Sequence, residues 1–315
     1  MADFFGVFIH LLWEVIFPIL AVAAAGYLVS KYSKIDLQTL SKLQINLFVP
    51  IFTFVSVSKA ELSWSQMGLI VGATLGAELL LAVPLFGFLH WKKVPPHTST
   101  VLVISSVIFN SGNFGLPLAQ LAFGNVGAQV QVLILLTANL SIWILGYLMM
   151  SSVTHGVSKA LTSFVKTPMF VGIVAAVLYK AFPFTIPAPI HFSLDTISGG
   201  LIPLALVTLG AQLHQGFKKP DWKHLTPVLI LKLFAMPAIM TLVVIVFHLW
   251  PWPGAMLIVA ASAPTAVNTI LLALELDGNS DLAADCVFWT TLLSAGTVAI
   301  VLALVKLAGG GPPLG

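Results

Sequence analysis

The chain has 315 residues, 58% hydrophobic and only 8% charged, where an ordinary soluble domain carries about a quarter charged residues, so a soluble globular fold is excluded. Its 14 basic residues are all lysine and face 11 acids, a net charge of +3 spread too thinly for nucleic-acid binding. One cysteine, Cys286, excludes an internal disulfide, and without a CxxC or a His/Cys cluster there is no candidate metal site.

Apolar windows of about 20 residues, the length that crosses a bilayer, number ten: 8–30, 35–58, 64–90, 98–123, 126–151, 166–183, 195–214, 224–250, 253–275 and 281–306. The first has no lysine-bearing region before it and no small-residue cleavage site after it, so it is expected to remain as a membrane helix. The longest polar connection, Ser151 to Lys166, divides the chain into two sets of five, residues 1–152 and 153–315. Residues His155 to Lys166 are expected to form a short interfacial helix. Pro18 and Pro168 mark the first segments of the two sets, Pro50 and Pro203 the second, Pro84 and Pro237 the third, Pro117 and Pro264 the fourth. This ordered pattern predicts an internal repeat. Because each repeat has an odd number of crossings, the second enters from the opposite side and the repeats are inverted. With the N-terminus outside, ten lysines (Lys31, Lys34, Lys42, Lys92, Lys93, Lys159, Lys166, Lys218, Lys219, Lys223) fall on the inner side and three (Lys59, Lys180, Lys306) on the outer. That positive-inside bias places both termini outside a cell membrane.

Two stretches should break their helices: Asn110-Ser-Gly-Asn-Phe-Gly-Leu-Pro117 in segment four and Ala261-Ser-Ala-Pro-Thr-Ala-Val-Asn268 in segment nine. Proline removes a donor and clashes with the preceding turn, and glycine lowers helix stability. Hydrocarbon offers no water to freed backbone groups, so such breaks persist only where they are buried in protein or line a cavity, and matching breaks in two halves point to a transporter's binding site. Both second halves begin near mid-membrane, where their N-terminal ends favour a small anion, a carboxylate above all. Asn110, Asn113, Pro117, Ser262, Pro264 and Asn268 are therefore the expected substrate-binding residues. Thr137 and Asn139, with Gln129 and Gln131, give segment five enough polarity to complete the pocket or simply to bond between helices. Glu78, deep in segment three, and Lys232, about two turns inside segment eight, are candidates for a proton or cation path, with Asp285 as a third. Lys232 could instead snorkel to the inner surface, and Glu14 and Asp285 could be interfacial. Trp64, Trp91, Trp222, Trp250 and Trp252 fall near segment ends, as an aromatic belt requires.

The run Phe17-Pro-Ile-Leu through Gly26-Tyr-Leu, the Val49-Pro50 segment, the Asn110 to Leu118 run, Leu209-Gly-Ala-Gln-Leu213 and Ala263-Pro-Thr-Ala-Val-Asn268 resemble the auxin efflux carrier family. That family includes the plant PIN auxin exporters and bacterial permeases for malate or malonate. Lacking the long central loop of many plant members, the chain is similar to the compact prokaryotic type. The resemblance implies an all-α integral membrane protein of ten helices in two inverted five-helix repeats, with helices 4 and 9 crossing, a scaffold of helices 1, 2, 6 and 7, and a moving part of helices 3–5 and 8–10.

The expected function is a secondary or facilitative carrier for a small organic anion, auxin-like or malate/malonate-like, working by elevator-type alternating access. A sodium-coupled symporter of the bile-acid type, which shares the architecture, is the runner-up. A channel and an intramembrane enzyme rank lower, the latter because no nucleophile-base or paired-acid spacing occurs. No GxxxxGK[ST] is present for nucleotide-driven pumping. No cofactor is expected beyond a coupling proton or sodium, and the partners are the anion, the bilayer and, left open, a second copy of the chain. In a protein lacking Cys286, cysteines at Lys92 and Lys218 should resist an impermeant thiol reagent added outside intact cells while one at Lys180 reacts; the opposite pattern would invert the topology.

Overall fold

Among the described residues every regular element is a helix apart from one isolated backbone bridge, because only a helix or a closed barrel satisfies its own peptide groups in hydrocarbon. The computed structural model describes residues 2–33, 35–60, 62–150, 162, 164–182, 185–215, 220–275 and 278–312. Its helices are α1 (Phe4–Tyr32), α2 (Leu37–Ser58), α3 (Trp64–Trp91), α4 (Pro96–Val107), α5 (Leu116–Met150), α6 (Pro168–Ala181), α7 (Ala188–Gln215), α8 (Trp222–Val246), α9 (Gly254–Ala261), α10 (Asn268–Glu275) and α11 (Ser280–Leu307). Most of the interfacial helix expected over 155–166, and Lys34, Lys159, Lys218 and Lys219, lie outside the described residues.

Polar caps fix where helices begin. Ser63 and Gln66 close a reciprocal capping box on α3, and Asn279 accepts from Leu282 at the head of α11. Asp36 caps α2 and Asp221 caps α8; hydrogen bonds from Thr39 and His224 respectively hold these two carboxyls below the usual carboxylate range.

Four helices contain a widened turn, at Leu12–Ile16, Gln44–Phe48, Ser111–Gly115 and Leu231–Ala235. Each is followed by one residue and then a proline: Pro18, Pro50, Pro117 and Pro237. A proline inside a regular helix donates nothing and its ring strikes the carbonyl one turn back. The wide turn relieves that clash, as where Phe17 N–H reaches back five residues to Leu12 O.

Among the described residues seven helices are long and apolar enough to cross a bilayer: α1, α2, α3, the α5 run over Ser111–Gly146, α7, α8 and α11. The other segments read from the sequence differ for identifiable reasons. Segment six is α6, 14 residues or about 21 Å long. Segments four and nine are interrupted, leaving α4, α9 and α10 short. Segment four continues past its break into α5, where Gly124 takes φ 64° and ψ −155° and turns the chain back. Gln131 on the far arm donates to Ser111 O at 2.9 Å, whereas an unbroken helix would hold those residues about 30 Å apart.

The protein is an all-α, multi-spanning membrane protein whose outer surface is apolar: Phe5, Trp13, Val83, Phe192, Phe234 and Val246 are exposed. Inside it, the polar side chains of Glu78, Gln131, Lys232 and Thr265 are buried. With lipid as apolar as leucine, helices associate by close backbone approach rather than by hydrophobic burial. The closest is α1 on α7, where a Cβ on Gly210 would fall 1.7 Å from Ala23 O and one on Gly26 2.2 Å from Val207 O. The contact of α6 with α2 repeats the device, Gly172 lying on the Pro50 backbone.

Gly210→Val should therefore force α1 and α7 apart and cost about 3 kcal/mol or more, lowering the apparent Tm or the yield of monodisperse protein. Gly72→Val, which meets nothing within 4 Å, should leave both unchanged. Equal behaviour of the two variants would refute the glycine contact as a stability determinant.

Candidate functional site

The two helix interruptions meet. α4 ends at Val107, Ile108 turns extended (φ −79°, ψ 124°), and Phe109 pairs antiparallel with Thr265 in the gap between α9 and α10. Asn110 N–H donates to Pro264 O at 2.7 Å and Ala266 N–H to Ile108 O at 3.1 Å. Groups freed by one break are thus satisfied by the other, and neighbouring helices supply the rest. Thr265 N–H donates to Thr290 Oγ1 at 3.0 Å, and the Thr265 hydroxyl donates to Ser105 O at 2.7 Å.

The break in segment four lies at Phe109 and Asn110, ahead of the glycines. Pro117, expected to create it, instead follows the wide turn Ser111–Gly115 that relieves its ring, at the entry to α5. Asn110 is buried. Its Oδ1 caps the wide turn by accepting from Asn113 N–H at 3.1 Å, while its Nδ2 has no partner. Asn113 accepts from Gln44 Nε2 of α2 at 2.5 Å and donates to Gln212 Oε1 of α7 at 3.3 Å. In the second break Pro264 contributes its carbonyl to the pairing, and Ser262 closes its hydroxyl on Val259 O at 2.6 Å. Asn268, at the head of α10, donates to Asn139 Oδ1 of α5 at 3.1 Å, and Asn139 in turn donates to Leu135 O. Thr137 is spent on Leu133 O of its own helix. The fold thus joins Asn110 to Asn113 and Asn139 to Asn268, but the Asn113 and Asn268 amides engage different helices.

Lys232 does not snorkel. It is fully buried, its Nζ 3.3 Å from Val107 O and 4.8 Å from the centroid of the Phe109 ring. The carbonyl it receives ends α4 and is one that the break would orphan, so the ammonium caps the negative end of that half-helix and rests on the aromatic face of the paired strand. Glu78 is 1% exposed. Neither of its carboxylate oxygens has a hydrogen-bond partner. Asp285 is buried in α11, and Glu14 is exposed on the outer face of α1.

Sequence reasoning missed Gln44, Gln212 and Thr290. The available signal was that an amide in hydrocarbon must find a partner, but it is shared by two glutamines in each helix, Gln38 and Gln44 of α2 and Gln212 and Gln215 of α7. The Thr290 hydroxyl gave none, because most buried Ser and Thr in helices bond to their own backbone, as Thr137 does.

The arrangement offers hydrogen-bond donors, a half-helix N-terminus and an opposed buried acid and base, but no nucleophile beside a base. Among the described residues no group of three His, Cys, Asp or Glu side chains is placed to hold a metal. A protein of Methanothermobacter thermautotrophicus described as an uncharacterised transporter is 25% identical over 288 residues, covering 89% of this chain and 94% of that one. Residues 11–302 match the family of membrane transport proteins, and with paired helix breaks inside an apolar shell the chain belongs to that family.

Proposed function

We propose that the protein is a secondary carrier of the auxin efflux type that moves a small organic anion, with the substrate's carboxylate bound where the two breaks meet. The observation that carries this reading is the buried Nδ2 of Asn110, a donor without a partner at the head of a half-helix. Leaving such a group unpaired costs about 1–3 kcal/mol, which a bound acceptor would recover. With no arginine in the chain and Lys232 committed to Val107 O, the anion is held by amides and half-helix ends. That set suits a single carboxylate better than a cluster of charges.

The proposal includes ten crossings in two inverted repeats, 1–152 and 153–315. Its support is that helix packings occur in exchanged pairs. α1 on α7 matches α6 on α2, α3 on α4 matches α8 on α9, α4 on α11 matches α9 on α5, and α3 on α5 matches α8 on α11. The contacts of α3 with α8, and of one break with the other, map onto themselves. The tight glycine seams join α1 to α7 and α2 to α6, which suits a rigid scaffold against which α3–α5 and α8–α11 move as an elevator. Glu78 and Lys232, opposed beneath the break, are the pair assigned to coupling by a proton. The sodium-coupled alternative has no comparable observation in its favour.

Asn110→Ser keeps an oxygen to cap the wide turn but replaces the free NH2 with a shorter side chain whose one O–H sits on the capping oxygen itself, and Asn110→Asp puts a negative charge in its place. The first should weaken carboxylate binding about tenfold to a hundredfold and the second abolish it, both with the parental melting curve, as read by ligand-induced thermal shift. Parental affinity in both variants would place the anion elsewhere. For coupling, Glu78→Gln should flatten the pH dependence of net uptake into proteoliposomes while substrate exchange continues. A parental pH profile in that variant would leave Glu78 a structural role only.

A further inference from the structure

Asn113 is held from two sides by side chains outside its own bundle. Gln44, 7% exposed in the wide turn of α2, donates to its oxygen, and the Gln212 oxygen of α7 accepts from its nitrogen. Its backbone N–H is taken by Asn110. The chain Gln44–Asn113–Gln212 therefore ties the broken segment to the two helices of the seam it faces. A carboxylate brings only acceptor oxygens. A carboxylate entering the seam competes with Gln212 Oε1 for the Asn113 NH2, and it gains the Gln44 NH2 once that group leaves Asn113.

We propose that Gln44 and Gln212 form a substrate-displaceable latch that holds the wide turn of the first break against α2 and α7 while the protein is empty, and selects for ligands whose anchoring group is acceptor-only. Resting on the carrier reading above, this makes the glutamines specificity-determining residues on the face opposite the moving bundle. Anion binding and release of the break from α2 and α7 are then one linked equilibrium, because a ligand that takes over the Asn113 and Gln44 donors bonds better to the unlatched form. A neutral amide or ester analogue, with one strong acceptor and a group that cannot replace the second, is a poor competitor for the latch.

The test uses the full chain, purified and substrate-free, with Cys286→Ser and a reporter Gly112→Cys beside Asn113. A Cβ at Gly112 meets only the Leu135 side chain, at 3.6 Å, so the reporter fits. Gln44→Leu and Gln212→Leu each keep the seam filled but remove one hydrogen bond, and each should speed modification of the reporter by a polar maleimide about fivefold. Neither should have a further effect once Asn113→Leu has removed the shared partner, which a general loosening of the seam would not obey. Unchanged rates in both glutamine variants, or effects fully additive with Asn113→Leu, overturn the latch. Exchange of radiolabelled malonate by the parent in proteoliposomes, measured alongside, tests the carrier reading separately: exchange with unmoved labelling rates removes the latch alone.

Discussion

The structure turns on the requirement that no peptide group be left unpaired in hydrocarbon. A helix that stops in mid-membrane exposes carbonyls at one end and N–H groups at the other, each costly without water. Here two stopped helices supply each other, through Asn110 N–H to Pro264 O and Ala266 N–H to Ile108 O. What the bridge leaves over falls to side chains from the surrounding helices: Thr290 on Thr265, Gln131 on Ser111 O, Lys232 on Val107 O. The identity of residues far from the breaks in sequence follows from this one need.

The site inherits its chemistry from that arrangement. An ordinary helix has its donors bonded internally and presents only side chains, whereas a broken one presents backbone and amide groups at the same point. Because the breaks are stitched to one another, the donors around Asn110 are preorganised rather than assembled when a ligand arrives. Lys232 meets the end of α4 through Val107 O and the Phe109 ring, so a charge change at that side chain is felt at the break.

How much of this was legible depended on whether the signal was local. Long apolar runs and the proline- and asparagine-containing interruptions are local, and they exposed both breaks and the membrane class. The position of the first break was misplaced by a few residues because Pro117 suits the start of a helix as well as its end. The reversal at Gly124 is also local, yet one glycine in an apolar run is an equivocal sign. Lys232 was legible as a buried charge but not as a cap, since its partner, Val107 O, is 125 residues away. Gln44 and Gln212 were invisible as a pair for the same reason: each looks like an incidental polar residue until Asn113 is placed between them.

The four wide turns have a consequence for how these helices would tolerate change. Each accommodates one residue more than a regular turn, which rotates everything beyond it by about 100° around the helix axis relative to an unbulged helix. The lipid-facing and interior stripes before and after Pro18, Pro50, Pro117 and Pro237 are therefore written in different angular phases. Exchanging a proline for alanine would remove the clash but leave the surplus residue with nowhere to go, so the far half would keep its wide turn or rotate its polar groups toward lipid. Only a paired change, proline replaced and one residue deleted, returns a straight helix with both stripes aligned. Proline and insertion are in that sense a single inherited unit, repeated four times along the chain.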